Sequence, residues 1–263
     1  MMNKSKLLIN INKLEEISEY KKIGYTNFLF ALKDYSIGYN TFTLDEIPYD
    51  SYIFINRVMD TKTIESLKGI KEELTKYKGI IFEDLGVYQI LKDTNVDLIW
   101  YQNHFTINKE SLRLWLDRVS SAVLSNEITS KEIEEIVSSV SKPIILNIFG
   151  KNQIMYSRRT LLTNFNKYNN LSDYNDMTLD VHGTKDKFFA RENEFGTVIF
   201  NNEYFNYIDF AKSLDEDKIK FYLVMNLDLS VSKIDDIING ETFGNDGFLN
   251  KKTVYKMSEY NDR

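Results

Sequence analysis

The residues able to do proton chemistry stand where short apolar runs stop. Glu83–Asp84 follows "GIIF", His104 follows "VDLIWYQN", and Glu127 follows "SAVLSN". An acid and a base held at one site can pass a proton to and from a substrate in the transition state. Asn10, Asn56, Gln102, Asn103 and Asn147 occupy the same kind of position, and Arg57 comes directly after Asn56. Amides and an arginine fork suit a polar ligand carrying a carboxylate or phosphate. The competing reading is structural, because polar residues after strands also cap the next helix and complement its positive end. Asp84 directly precedes a helix and fits that role as well as a binding one, whereas Glu83 and Glu127 sit earlier and fit function better. A lone histidine such as His104 is more often a loop residue than a base, and His182, in "LDVHGTKD", has a weaker case still. Glu83, His104 and Glu127 lack an HExxH or comparable ligand spacing, and no GxSxG elbow, phosphate loop or dinucleotide fingerprint occurs.

The elements that must position these residues repeat along the chain. "KLLININ", "NFLFAL", "SYIFIN", "GIIF", "VDLIWYQN", "SAVLS", "KPIILNIFG" and "IKFYLVMNL" are apolar runs of strand length. They are continuous rather than alternating, the pattern of strands buried on both faces of a parallel sheet. Helical periodicity follows most of them, as in Ile64, Leu67, Ile70 and Leu74, or Leu112, Trp115, Leu116 and Val119. Asn12 is expected to cap the first helix. Thr129 and Glu132 have capping-box spacing before Ile133, Ile136, Val137 and Val140. That box leaves Glu127 free, so Glu127 is expected to turn inward, towards Glu83, Arg57 or His104. Two carboxylates held close would push one of them to a higher pKa. The repeated unit predicts a (β/α)8 barrel of the TIM type, whose functional face is the C-terminal end of its strands. An open doubly wound sheet is the alternative, and it would ordinarily announce a Gly-rich first turn. The expected divisions are a barrel over 1–235 and a C-terminal extension over 236–263 ending in a strand. Within the barrel, residues 151–178 read as an aperiodic loop over the mouth with one helical turn at most, and 186–201 as an inserted β-hairpin.

Composition narrows the function classes. The chain has 263 residues, 43% hydrophobic and 14% aromatic with 2 prolines, enough for a sizeable core. A net charge of −6 argues against broad nucleic-acid binding, so RNA is not the favoured partner. There is no cysteine, which removes disulfides, thiolate nucleophiles and cysteine-held iron–sulfur clusters. No apolar run approaches the roughly 18 residues of a membrane span, and early carboxylates interrupt any signal-peptide core. A cytoplasmic protein with no membrane partner is expected, working alone, as a homo-oligomer or beside a protein partner.

"FEDLGVYQIL", "VLSNEITSKEIEEI" and "SRRTLLTNF", in that order, resemble the collagenase-like peptidases of family U32. "ENEFGTVIFNNEYF" is similar to the family's hairpin before the last barrel strand, and "GFLNKKTVYKM" to the ending of some members. Carried over by this resemblance are Glu83, Asp84, Gly86, Glu127, Ser157 and Arg158, with Arg159 adjacent. The chain departs from the family where Ser157–Arg158–Arg159–Thr160 replaces Ser–Gly–Arg–Cys, and where Gln153 and Thr160 stand at the two cysteine positions. Some relatives bind an iron–sulfur cluster through cysteines and assist hydroxylation of RNA or ubiquinone precursors; with no cysteine that route is closed here, and no cofactor is expected. The resemblance implies a peptidase-like hydrolase acting on a peptide or protein substrate, with Glu83 and Glu127 as catalytic groups, to which the place of His104 after a strand adds a third. Arg57, Asp84, Gln102, Ser157, Arg158 and Arg159 are then the expected substrate contacts. The alternative is a non-catalytic or accessory barrel in which Arg57, Arg158 and Arg159 clamp a small anion, a peptide or an RNA end.

Overall fold

The computed structural model describes residues 2–172, 174–180, 183 and 187–251. In chain order the elements begin with β1 (Leu7–Asn10), α1 (Glu16–Lys22), β2 (Asn27–Leu32), β3 (Thr41–Phe42), β4 (Tyr52–Ile55), α2 (Thr61–Gly69) and α3 (Lys71–Leu74). They continue with β5 (Gly79–Phe82), α4 (Leu85–Leu91), β6 (Asp97–Tyr101), α5 (Lys109–Leu116), β7 (Ser121–Leu124), α6 (Ser130–Ser139) and β8 (Ile144–Ser157). The last part holds α7 (Leu161–Tyr168), β9 (Asp176–Asp180), β10 (Lys187–Asn193), β11 (Gly196–Asn206), α8 (Ile208–Ala211), β12 (Ile219–Val224) and α9 (Val231–Ile238). Strands β1, β2, β4, β5, β6, β7, β8 and β12 pair in parallel in that order, and β12 returns to β1 to close the ring. The fold is a TIM-type barrel, as the strand–helix spacing predicts. Among the described residues no helix is long and apolar enough to cross a membrane.

Side chains alternate across each strand, so a barrel has two cores. Leu8, Leu29, Phe54, Ile81, Ile99, Val123, Ile145 and Leu223 fill the interior. Their neighbours Leu7, Ile9, Ile53, Ile80, Phe82, Trp100 and Leu146 face outwards and pack against the helices. Both sets are fully or almost fully buried, which is why the runs read as continuously apolar. α9 runs across position 235 and packs Ile234, Ile237 and Ile238 into the outer core. Helix α1 starts without a side-chain cap from Asn12; instead the Glu16 carboxylate accepts the amides of Asn12 and Lys13.

Residues 151–178 are not the expected loop. β8 runs on beyond the barrel to Ser157, pairing antiparallel with β11, which pairs with β10 and then β9. The extension eluded the sequence reading because its side chains are mixed in burial and carry no apolar run. β10 and β11 form the expected hairpin, turning before Gly196 at φ +136°, where a Cβ would lie 2.1 Å from the Ser157 carbonyl oxygen. Helix α7 was equally hidden, since Thr160 makes no side-chain cap. Its cap comes from 30 residues away: the buried Glu192 carboxylate on β10 accepts the amides of Leu162 at 2.7 Å and Thr163 at 2.9 Å, with the hydroxyls of Thr163 and Thr197. After α9 the chain straps back across the barrel, Asn206 donating to the Asn245 carbonyl and Ser130 to that of Leu249. His182 and the strand expected in the final residues lie outside the described residues.

Burial opposes ionisation of Glu192, but hydrogen bonds from Thr163, Thr197 and Leu162 outweigh it and hold its pKa below 4.5. Glu192→Ala leaves the buried Leu162 amide and the partly buried Thr163 amide without an acceptor and is expected to destabilise the protein by about 2–4 kcal/mol in urea denaturation at pH 7. A depressed pKa contributes stability above the unfolded value of 4.5 and loses it as pH falls through the folded value. The gap between wild type and Glu192→Gln therefore narrows below about pH 4. A gap that is constant from pH 7 to pH 3 contradicts the ionised cap.

Candidate functional site

The two-residue period that buries Ile81 inside the barrel carries Glu83 to the same side, at the C-terminal mouth. Asp84 consequently faces the helices. Its Oδ1 accepts the Gly86 amide at 2.7 Å as the cap of α4, and Oδ2 accepts the Met59 amide at 3.0 Å. The same parity sets Tyr101 two residues beyond Ile99 and Asn147 two beyond Ile145. Asn147 Nδ2 donates to the Tyr101 hydroxyl at 3.2 Å.

These side chains line a cavity of about 20 Å³, room for about one water molecule. Gln102, Asn103 and His104 enter after β6 and Asn126 after β7, while Lys151, Asn152 and Gln153 come from the β8 extension. Phe54 and Tyr39 complete the wall, Tyr39 packing edge-on to Phe54 and Phe200 at 5.8 and 5.9 Å between ring centres. Tyr39 follows Gly38, which has a φ of +82° and where a Cβ would lie 2.9 Å from the Phe200 ring, so the position suits glycine. Asn126 is the hub of the polar wall. Its amide nitrogen donates to Asn152 at 2.6 Å, its backbone N–H to Asn103 at 3.2 Å, and its carbonyl accepts the Tyr207 hydroxyl at 2.7 Å. Among the described residues, the side-chain oxygens of Asn126 and Asn147 are buried without a hydrogen-bond partner.

Glu83 keeps some exposed surface yet is surrounded by protein, and these surroundings govern its charge. Burial alone pushes its pKa up to about 8, so it holds a proton at neutral pH. Proximity of a second carboxylate, the expected cause, is not the one at work. Glu127 does turn towards the mouth, where its Oε2 lies 3.1 Å from His104 Nδ1. The Thr129–Glu132 capping box forms as expected and serves the helix without Glu127. A carboxylate only accepts, so the shared proton sits on Nδ1 and leaves His104 Nε2 as the basic nitrogen. Burial also raises the Tyr101 and Tyr39 hydroxyl pKa values and lowers that of the Lys151 ammonium, which Arg191 lowers further.

The mouth thus brings Glu83, Gln102 and His104 together, with Glu127 behind His104, and leaves the other expected contacts outside the cavity. Arg57 donates to the Asp34 carbonyl at 2.7 Å and stacks on Phe195 at 3.7 Å. Arg158 pairs with Asp60 at 3.3 Å on the surface, Arg159 is exposed, and the Ser157 hydroxyl accepts the Arg159 amide. Asn10 and Asn56 hold backbone, at Asn226 and Ile37 respectively. Sequence reasoning missed Asn126, Lys151 and Asn152, although each lies within a few residues of an apolar strand end. No local signal marks Tyr39. Among the described residues no group of three or more histidine or acidic side chains is placed to hold a metal ion.

A chitinase from Chromobacterium violaceum ATCC 12472 is similar in structure at a TM-score of 0.43 and 9% identity, covering 94% of this chain and 100% of that one. The C-terminal domain of a candidate chitinase from Desulfitobacterium hafniense DCB-2 gives 0.34 and 9% identity, covering 84% and 93%. No curated protein sequence matches. The sequence model of Peptidase family U32 matches residues 46–222, a span from before β4 into β12 that includes the whole acidic and amide wall. The chain belongs to peptidase family U32.

Proposed function

We propose that the mouth hydrolyses peptide bonds by direct attack of water, with His104 as base and Glu83 as acid. The observation that carries this reading is the pairing in one cavity of a carboxyl kept protonated by burial with a histidine backed by a carboxylate. His104 Nε2 takes a proton as the water oxygen bonds to the carbonyl carbon. Glu83 gives its proton to the amide nitrogen as the C–N bond breaks, leaving an acid and an amine. The proton on His104 then returns to Glu83 through solvent. The unpartnered oxygens of Asn126 and Asn147 support a peptide ligand, because a backbone N–H would satisfy an acceptor that is costly to leave bare.

Removal of a general acid costs about 10²–10⁴-fold in rate, so Glu83→Gln is expected to lower kcat by that range with little change in KM on a panel of short peptides. Wild-type activity is expected to decline as pH rises through about 8, where Glu83 loses its proton. Equal turnover by wild type and Glu83→Gln would remove Glu83 from the chemistry.

The same proton has a thermodynamic signature. Between the unfolded value of 4.5 and the folded value of about 8, the unfolded chain has released the proton and the native one retains it. Native stability therefore falls as pH rises across that window, by at most about 1.4 kcal/mol per pH unit, and levels off above it. Glu83→Gln, which mimics the protonated form, is expected to match wild type near pH 4 and exceed it at pH 8 in urea denaturation. A wild-type advantage at pH 8 contradicts a buried, neutral Glu83.

The tightness of the cavity favours a second reading, an accessory barrel that binds a small ligand beside a partner without turnover. Tyr39 separates the two. If its ring limits access, Tyr39→Ala is expected to raise kcat/KM on bulky peptides by about tenfold, the scale of one gating side chain. No turnover by wild type or Tyr39→Ala on any peptide tested favours the accessory barrel.

A further inference from the structure

Lys151 stands where β8 leaves the barrel, and it lines two spaces at once. One is the cavity of Glu83 and His104; the other is an open pocket of about 500 Å³ with Asn202, Glu203, Tyr204 and Phe243. Its ammonium lies 4.8 Å from the Phe189 ring centre and 5.1 Å from that of Tyr204. Among the described residues no carboxylate bonds to it; Asp228 acts only at longer range. Asp228 is already engaged by Arg191 and Asn40, and Arg191 also holds Asp176 through two bonds of 2.9 Å. Glu203 accepts the Asn245 amide at 2.6 Å. Lys151 is therefore a half-buried cation whose acidic neighbours are committed elsewhere, between an aromatic wall and the proton-transfer groups. A partly desolvated ammonium with three donors and no bonded anion is costly unless a ligand supplies one.

We propose that Lys151 binds the terminal carboxylate of a short peptide, so that the open pocket takes the C-terminal residue and the adjoining peptide bond reaches Glu83. This rests on the hydrolytic reading of the mouth for its chemistry, but not for its binding. Tyr204 and Phe243 offer an apolar face to the terminal side chain. Glu83, neutral while protonated, does not repel the carboxylate, whereas Glu127 and Glu203 disfavour a more highly charged anion. Hydrolysis at this register adds water across the last C–N bond and releases one free amino acid.

The test uses N-acetyl-Ala-Leu, its C-terminal amide, and an amidated N-acetyl-Asp-Leu, titrated calorimetrically into wild type, Glu83→Gln, Lys151→Met and Lys151→Arg. The free acid is expected to bind wild type and Glu83→Gln about tenfold or more tighter than the amide, as for one charge-assisted hydrogen bond. Lys151→Met is expected to bring the two within about twofold and Lys151→Arg to restore part of the difference. Equal binding of acid and amide to wild type overturns the site, as does a preference that survives in Lys151→Met. Binding of the amidated aspartyl peptide as tightly as the free acid overturns the terminal assignment. An acid preference with no release of leucine by wild type leaves the carboxylate site standing and sinks the hydrolase reading instead.

Discussion

Closure of the eight-strand ring imposes a strict parity on the molecule, and the chemistry of the mouth depends on it. With β12 paired to both β1 and β8, no strand can slip by one residue without turning its buried side chains to the wrong core. Glu83 and Asp84 show the consequence. They are adjacent, both acidic and both at a strand end, yet one enters the barrel beside Tyr101 and Asn147 while the other fastens α4 and the Met59 amide. Exchanging their roles would require reversing the burial of Ile80, Ile81 and Phe82, each of them fully buried.

β8 extends this logic beyond the barrel. Its first half belongs to the parallel ring, and its second half founds an antiparallel sheet with β11, β10 and β9. One continuous strand therefore delivers Asn147 at the barrel end and Lys151, Asn152 and Gln153 just above it. The sheet is tied back to the barrel by Arg191, which joins Asp176 on β9 to Asp228 after β12. The Glu192 cap, one residue on, orders α7 on the opposite face of β10. These polar ties hold the roof of the mouth, and Tyr39 wedges between the roof at Phe200 and the barrel at Phe54.

Electrostatics follow from the same enclosure. The mouth is built largely from amides and phenols, and Lys151, which also lines it, makes no bond to Glu83 among the described residues. Burial therefore acts on Glu83 without opposition, and its proton is retained to about pH 8. Half-exposed His104, by contrast, meets Glu127 at the rim, where water still reaches the pair. Two glutamates at one mouth thus sit in unlike surroundings, one enclosed and neutral, the other partly buried and paired with His104.

The amino-acid sequence by itself determined the barrel, because strand length, continuous apolar runs and helical periodicity are local properties that each segment carries alone. It also determined the α6 capping box and the hairpin before Gly196, both written in a few neighbouring residues. The family was legible from motif order, and the acidic and amide positions after β5, β6 and β7 from their place at strand ends. Tertiary structure decided the rest. Whether Glu83 or Asp84 faced inward was settled by barrel closure, since a one-residue shift of a strand boundary reverses the answer. α7 owes its cap to Glu192, and the cavity owes Tyr39 and Lys151 to a loop and a strand extension, contacts made across tens of residues. Arg57, Arg158 and Arg159, which their residue type marked for ligand binding, were drawn instead to Asp34, Asp60 and solvent. Charge and hydrogen-bonding capacity are properties of a residue, but the partner that takes them up is chosen by the fold.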